Sequence, residues 1–152
     1  MTARERDEPA VPAEGRLLAV DWGERRIGLA VSDPSQTIAQ PLATLTRRAG
    51  KRFPMQQLRE YITRESPVAI IVGLPLAASG YEGAPAKAAR AAGTLIAAKT
   101  GLPVVYVDER MTTARALAIK KEMGGHGPDD EGLLDQVAAA VVLQSFLNRR
   151  RP

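Results

Sequence analysis

The sequence predicts an α/β domain with one mixed five-stranded sheet flanked by helices. Three observations carry this expectation. Short apolar runs at 17–20, 68–74 and 104–107 have strand length and are too short for helices. Between 27 and 32, large Ile27, Leu29 and Val31 alternate with small Gly28, Ala30 and Ser32, which is the period of two of a strand with one bulky and one small face. Helical patterns separate the later strands, which implies parallel pairing there. The opening strands follow one another directly, which implies antiparallel pairing.

The elements follow in order. Residues 1–15 mix charge, Pro, Ala and Gly without periodicity and are expected to form a disordered tail, with a single domain over 16–152. Leu17-Leu18-Ala19-Val20 reads as a buried strand, and Trp22-Gly23-Glu24-Arg25 as the turn of a hairpin. A third strand is expected from Thr37 to Thr46, where Pro41 confines it to a sheet edge. Pro54 marks a first helical position, and Met55, Leu58 and Ile62 recur at helical spacing before Pro67 ends the helix. Val68 to Leu74 is the fourth strand. Pro85 opens an alanine-rich helix that stops at Lys99-Thr100-Gly101, with Pro103 just beyond. Val104-Val-Tyr-Val forms the fifth strand and ends in Asp108-Glu109-Arg110. Thr112 or Thr113 can cap a helix to about Met123. Gly124 to Asp130 reads as a flexible acidic loop, and Leu133 to Asn148 as a final amphipathic helix.

Composition narrows the chemistry. The chain has 152 residues, enough for one domain with its own core. It has no cysteine, which excludes disulfides, thiolate metal sites and a cysteine nucleophile. Aromatic residues make up 4%, so the core must be aliphatic. A net charge of +4 suits a polyanionic partner without demanding one. No apolar run is long enough to span a bilayer, and the first residues lack the apolar core of a signal peptide, so a cytoplasmic protein with no membrane partner is expected. There is no phosphate-binding Gly-x-x-x-x-Gly-Lys-Ser/Thr loop. The lone His126, in a Gly-rich loop, has no context for a Ser-His-Asp arrangement.

Three acidic positions stand at element ends. Asp21 closes the first strand, Asp108 and Glu109 close the last, and Asp135 lies near the start of the final helix. At helical spacing Asp135 shares a face with Ala138, Ala139, Val142 and Phe146, so its carboxylate lies on the side that should pack on the sheet. A buried carboxylate must be paired, bound to a cation or at the rim. Helix-dipole stabilisation of an acidic first turn is the alternative. Asp21, in Asp-x-Gly, also suits a plain turn or the hairpin of an actin-like or sugar-kinase domain, although a single domain lacks the second lobe that closes over nucleotide. Asp108 and Glu109 are adjacent and point to opposite faces of a strand, so only one can readily join Asp21. Clustered carboxylates without thiolates suit a hard cation such as magnesium or manganese, which would activate water and stabilise the leaving oxygen of a phosphodiester. Arg25, Arg26, Arg47, Arg48, Arg110, Lys120 and Lys121 flank these acids and could hold phosphates. Thr112 and Thr113 could add hydroxyl contacts to phosphate or cap a helix.

Four blocks read together resemble the YqgF family, also called the RuvX type. They are Ala19-Val-Asp-Trp-Gly-Glu-Arg-Arg-Ile-Gly-Leu-Ala-Val-Ser-Asp33; Ile71-Val-Gly-Leu-Pro-Leu76 with Gly80 and Gly83; Val107-Asp-Glu-Arg-Met-Thr-Thr113; and Leu134-Asp-Gln-Val-Ala-Ala-Ala-Val-Val-Leu-Gln144. Their order and spacing span Leu17 to Leu147. The resemblance implies a ribonuclease H-like fold and metal-dependent endonucleolytic hydrolysis of phosphodiesters, in 5′-end processing of pre-16S ribosomal RNA in the cytoplasm. It implies catalytic and metal-binding roles for Asp21, Glu109 and Asp135, with Asp108 as the alternate to Glu109, and Mg2+ or Mn2+ as cofactor. Structured RNA is the favoured partner and branched DNA of the Holliday junction kind a possible one. A non-catalytic nucleic-acid-binding factor in transcription or ribosome assembly is the alternative class. Monomer and homodimer are both compatible. Two departures concern substrate grip: Ala77 and Ser79 stand where the family usually has Asn and Asp, and Asp129, Asp130 and Glu131 stand where a basic stretch commonly precedes the final helix.

Overall fold

A computed structural model describes residues 8–47, 52–111 and 128–150. The chain runs through β1 (Leu17–Asp21), β2 (Arg26–Ser32), β3 (Ala39–Thr46), α1 (Met55–Glu65), β4 (Ala69–Leu74), α2 (Ala84–Thr100), β5 (Val104–Asp108), a 3-10 turn (Glu109–Met111) and α3 (Pro128–Arg150). The strands form one sheet in the order β3-β2-β1-β4-β5. β1, β2 and β3 pair antiparallel, while β4 pairs parallel to both β1 and β5. This is the mixed five-stranded sheet that the order of elements predicts. The parallel pairs need crossovers, which α1 and α2 supply.

Strand alternation sends two sets of side chains to opposite faces. Leu18, Val20, Ile27, Leu29, Ile70 and Val72 pack with Leu58 of α1 and Ala86, Ala89 and Ile96 of α2. Leu17, Ala19, Ala30, Ala69, Ile71, Val105 and Val107 pack with Ala139, Val142, Leu143, Phe146 and Leu147 of α3. The sheet is therefore a middle layer between α1 and α2 on one side and α3 on the other. β4 is buried along its whole length, which explains why its sequence is a continuous apolar run without polar alternation.

β3 is an edge strand, as Pro41 requires. Its pairing with β2 shifts between Leu29, opposite Ala43, and Ala30, opposite Pro41. Leu42 is thus the extra residue of a bulge beside the proline, where a missing backbone donor is tolerated. α3 covers this edge: the Ala39 amide donates to Gln144 Oε1 at 2.9 Å, and Gln136 Nε2 donates to Thr44 Oγ1 at 3.2 Å.

Some boundaries differ from expectation. β3 begins at Ala39 rather than Thr37, because the Thr37 and Ile38 amides both donate to Asp33 Oδ1, at 2.7 and 2.9 Å. α3 begins at Pro128, five residues before the expected start. Proline suits a first turn, whose amides lack intrahelical partners in any case. Residues 8–15, part of the expected tail, follow an irregular path. There Pro12 O and Gly15 O accept from Gln36 Nε2, and Val11 O accepts from Arg150 Nη2. The helix expected from Thr112 or Thr113 to Met123 lies outside the described residues, as do residues 1–7. Among the described residues, no helix is long and apolar enough to cross a membrane.

Asp33 organises the turn between β2 and β3. Hydrogen bonds from Ser35 Oγ and from the Ile38 and Thr37 amides all favour its ionised form, and its pKa is lowered from 3.8 to about 2. A depressed carboxyl pKa stabilises the fold above the ordinary carboxyl range and loses that contribution as pH falls through the folded-state value. Asp33→Asn is therefore expected to be less stable than the wild type at neutral pH, with the gap closing between about pH 4 and pH 2. Urea unfolding across that range reads it. A gap unchanged down to pH 2 would show that the carboxylate charge is not what secures the turn.

Candidate active site

Parallel pairing brings the C-terminal ends of β1, β4 and β5 side by side, with Leu17 to Val20 in register with Ala69 to Val72, and Leu74 opposite Asp108. Asp21 ends β1 and lies across from Gly28 of β2. By alternation it shares the α3 face with Leu17 and Ala19. The other two candidate carboxylates reach that face from different elements.

Asp135 comes from α3, on the same helical face as Ala138, Ala139 and Val142, and is 1% exposed. Gly28 makes this possible. A Cβ built on Gly28 would overlap the Asp135 carbonyl and lie 3.1 Å from its Cβ. The glycine thus lets the first turns of α3 sit directly on β2. Glu109 comes from the 3-10 turn after β5 and is 6% exposed. A second glycine receives it: a Cβ on Gly73 of β4 would overlap Glu109 Oε1 and lie 3.3 Å from Val142 Cγ2. Two glycines on one sheet face thus admit the two acids, Gly28 the backbone of α3 at Asp135 and Gly73 the carboxylate of Glu109.

The alternate, Asp108, faces the other way, with Val104 and Tyr106. It accepts the Arg110 amide at 2.9 Å and, through Oδ2, Arg110 Nε at 2.9 Å and Nη2 at 2.6 Å. This fork raises the Arg110 pKa above its ordinary value. Asp108 therefore shapes the 3-10 turn that aims Glu109, and Arg110 is oriented by Asp108 with its guanidinium also near Ala78 O.

Arg26, expected to meet phosphate, donates from Nε to Asp135 Oδ2 at 2.9 Å. Its guanidinium is partly exposed while the carboxylate is sealed, so it supplies a counter-charge to a buried acid. Arg25 is exposed at the hairpin tip. Arg47 stacks over Trp22 at 5.4 Å and donates to Glu24 O at 2.7 Å, bracing the same turn. Thr112, Thr113, Arg48, Lys120, Lys121 and His126 lie outside the described residues. The parts that sequence reasoning passed over are the two glycines. The small face of β2 was visible as Gly28-Ala30-Ser32, but nothing in the run Ile-Ile-Val-Gly-Leu distinguishes Gly73 from an ordinary strand glycine.

Among the described residues, no three His, Cys, Asp or Glu side chains stand within common range of one metal ion. Like-charged carboxylates repel unless a cation lies between them. What the face does offer a hard cation is all-oxygen donor chemistry, with the carboxylates of Glu109 and Asp135 buried against it.

Known proteins resemble this chain at several levels. Residues 15–149 match the family described as RuvX, Holliday junction resolvase. A Cutibacterium acnes protein named "Putative pre-16S rRNA nuclease" is 38% identical over 146 residues, covering 95% of this chain and 89% of the relative. A Koribacter versatilis protein of the same name is 39% identical over 143 residues, covering 94% and 92%. Among solved structures, T. thermophilus RuvC in complex with a Holliday junction substrate superposes with a TM-score of 0.51 at 18% identity, covering 90% of this chain and 95% of that one. That likeness shows the ribonuclease H-like fold.

The glycine cradle can be tested by adding a methyl group. Gly28→Ala is expected to cost about 1–3 kcal/mol in urea unfolding, because backbone of α3 must move. Gly132→Ala, whose added Cβ would meet Thr44 Oγ1 at an ordinary 3.7 Å, is expected to be neutral or stabilising. Equal effects at the two sites would show that α3 does not depend on close approach at Gly28.

Proposed function

As the chain belongs to the RuvX family, we propose that it is a metal-dependent endonuclease that hydrolyses phosphodiester bonds, with 5′-end maturation of pre-16S ribosomal RNA in the cytoplasm as its task. The observation that carries this reading is that Asp21, Glu109 and Asp135 all lie on the α3 face of the sheet at its strand ends, the last two buried. Relatives named as pre-16S rRNA nucleases, matched along nearly the whole chain, support the substrate.

In this reading Asp21, Glu109 and Asp135 would supply the oxygen donors for Mg2+ or Mn2+, the cations that suit an all-oxygen set. Bound there, the cation supplies a Lewis acid that lowers the pKa of water and takes up charge developing on phosphoryl oxygens. The chain's own residues do the rest. α3 closes over the face and limits bulk water. Arg26 donates from Nε to Asp135 Oδ2 and so places a positive charge against that buried carboxylate. Arg110, oriented by Asp108, and the exposed Arg25 offer guanidinium groups to the phosphate backbone on either side of the acids.

A second reading keeps the site and changes the substrate to branched DNA. The family's description as Holliday junction resolvase favours it. Both substrates present the same phosphodiester, so the chemistry is shared and the shape of the nucleic acid decides.

Asp21→Asn is nearly isosteric and sits at a half-buried strand end, so it should fold with an unchanged circular dichroism spectrum. It is expected to lower cleavage of a precursor 16S rRNA fragment by at least about a hundredfold in Mg2+ or Mn2+, as loss of a transition-state interaction does. A four-way DNA junction run in parallel separates the two substrates. Equal cleavage by wild type and variant would overturn the site, and binding without cleavage in either metal would favour a non-catalytic factor.

A further inference from the structure

Tyr81 lies in the loop between β4 and α2 and is 67% exposed. The loop beneath it is well secured. The Gly80 amide donates to Ala77 O at 2.8 Å, and the Ala77 amide donates to Tyr81 O at 3.0 Å, closing a tight turn. Gly80 has φ +91, a conformation that L side chains rarely adopt. Leu76 anchors one end of the loop in the core, and Glu82 anchors the other by pairing with Arg90 of α2. The backbone of Tyr81 is thus held on both sides while its ring is left in water.

The loop leaves the sheet at the C-terminal end of β4, the same edge that presents Glu109. Arg110 lies against it: Nη1 approaches Ala78 O at 3.5 Å and would be 2.9 Å from a Cβ on Gly80. An aromatic ring on a fixed loop, next to a glycine that lies against a guanidinium another side chain already orients, is the pairing that single-stranded nucleic-acid sites use. The ring offers a face to a base, and the cation offers charge to the backbone. A Tyr ring loses little conformational freedom when it stacks, since only two torsions are involved.

We propose that Tyr81 is a stacking platform for an unpaired nucleobase of the substrate strand, held beside the carboxylate-bearing edge by the Ala77–Tyr81 turn. It rests on the reading of the chain as a nucleic-acid enzyme and adds a preference for unpaired nucleotides near the cleaved bond. Base stacking tolerates any sequence because every base has a π face, so the preference is for unpaired structure rather than for a particular base.

The test is fluorescence anisotropy of the full chain with a labelled single-stranded RNA, the matching single-stranded DNA and a duplex of equal length, in EDTA so that no strand is cut. Tyr81→Ala is expected to weaken both single strands about fivefold or more and to leave the duplex unchanged. Tyr81→Phe is expected to bind as the wild type does, because the ring and not the hydroxyl makes the contact. Thermal melting of Tyr81→Ala should match the wild type, since the ring is exposed. Unchanged single-strand affinity in Tyr81→Ala, equal weakening for single strand and duplex, or a Phe variant as weak as the Ala variant would each overturn the proposal. If the wild type cleaves and needs Asp21 while Tyr81→Ala binds normally, only the stacking role falls. If the wild type neither binds nor cleaves RNA or DNA, the enzymatic reading falls and takes this one with it.

Discussion

The close approach of α3 to the sheet is the constraint on which the rest depends. Its lower face is Ala138, Ala139 and Val142, and the strands beneath offer Ala19, Gly28, Ala30 and Gly73. At Gly28 there is no room for even a methyl group. Small residues on both surfaces let backbone approach backbone, and the larger Leu143, Phe146 and Leu147 then fill the space further along the helix. A helix held this tightly can carry a carboxylate at a fixed height above the strand ends. The same contact covers the sheet edge, because Gln144 takes the Ala39 amide and Gln136 donates to the Thr44 hydroxyl of β3.

Burial of that kind sets an electrostatic problem. A sealed carboxylate is costly unless something compensates its charge. At Asp135 the guanidinium of Arg26 does so from the neighbouring strand. Asp108 and Arg110 show the opposite arrangement, a partly exposed fork that lies on the other side of β5 and gives shape to the turn. One arginine thus serves the buried acid and the other the loop geometry, although in the sequence both look like generic basic neighbours of an acidic residue. The distinction matters for function, since Arg110 faces the exposed loop that carries Tyr81 whereas Arg26 is committed to the helix.

Much of the architecture was legible because it rests on periodicity and punctuation. The small-large alternation of 27–32 marked β2, the short apolar run of 68–74 marked β4, and Gly101 with φ +73 ended α2 where its sequence indicated. Boundaries were less legible where side chains compete with the backbone. Asp33 takes the amides of Thr37 and Ile38 and so delays β3, which no local pattern announces. Residues 8–15 carry no period at all, and the hydrogen bonds that meet their carbonyls come from Gln36 and Arg150, remote in sequence.

The sequence by itself determined the sheet with its flanking helices, the strand-end positions of Asp21 and Asp108, and the placing of Asp135 on an apolar helix face, because these follow from repeats of two and 3.6 residues that each segment carries internally. Only the tertiary structure decided which of Asp108 and Glu109 turns toward α3, that Arg26 meets Asp135, and that Gly28 admits the backbone of α3 while Gly73 admits the Glu109 carboxylate. Those outcomes depend on register between strands and on the height of a helix more than a hundred positions away in the chain from Arg26. Such distances are set by packing, which no local pattern encodes.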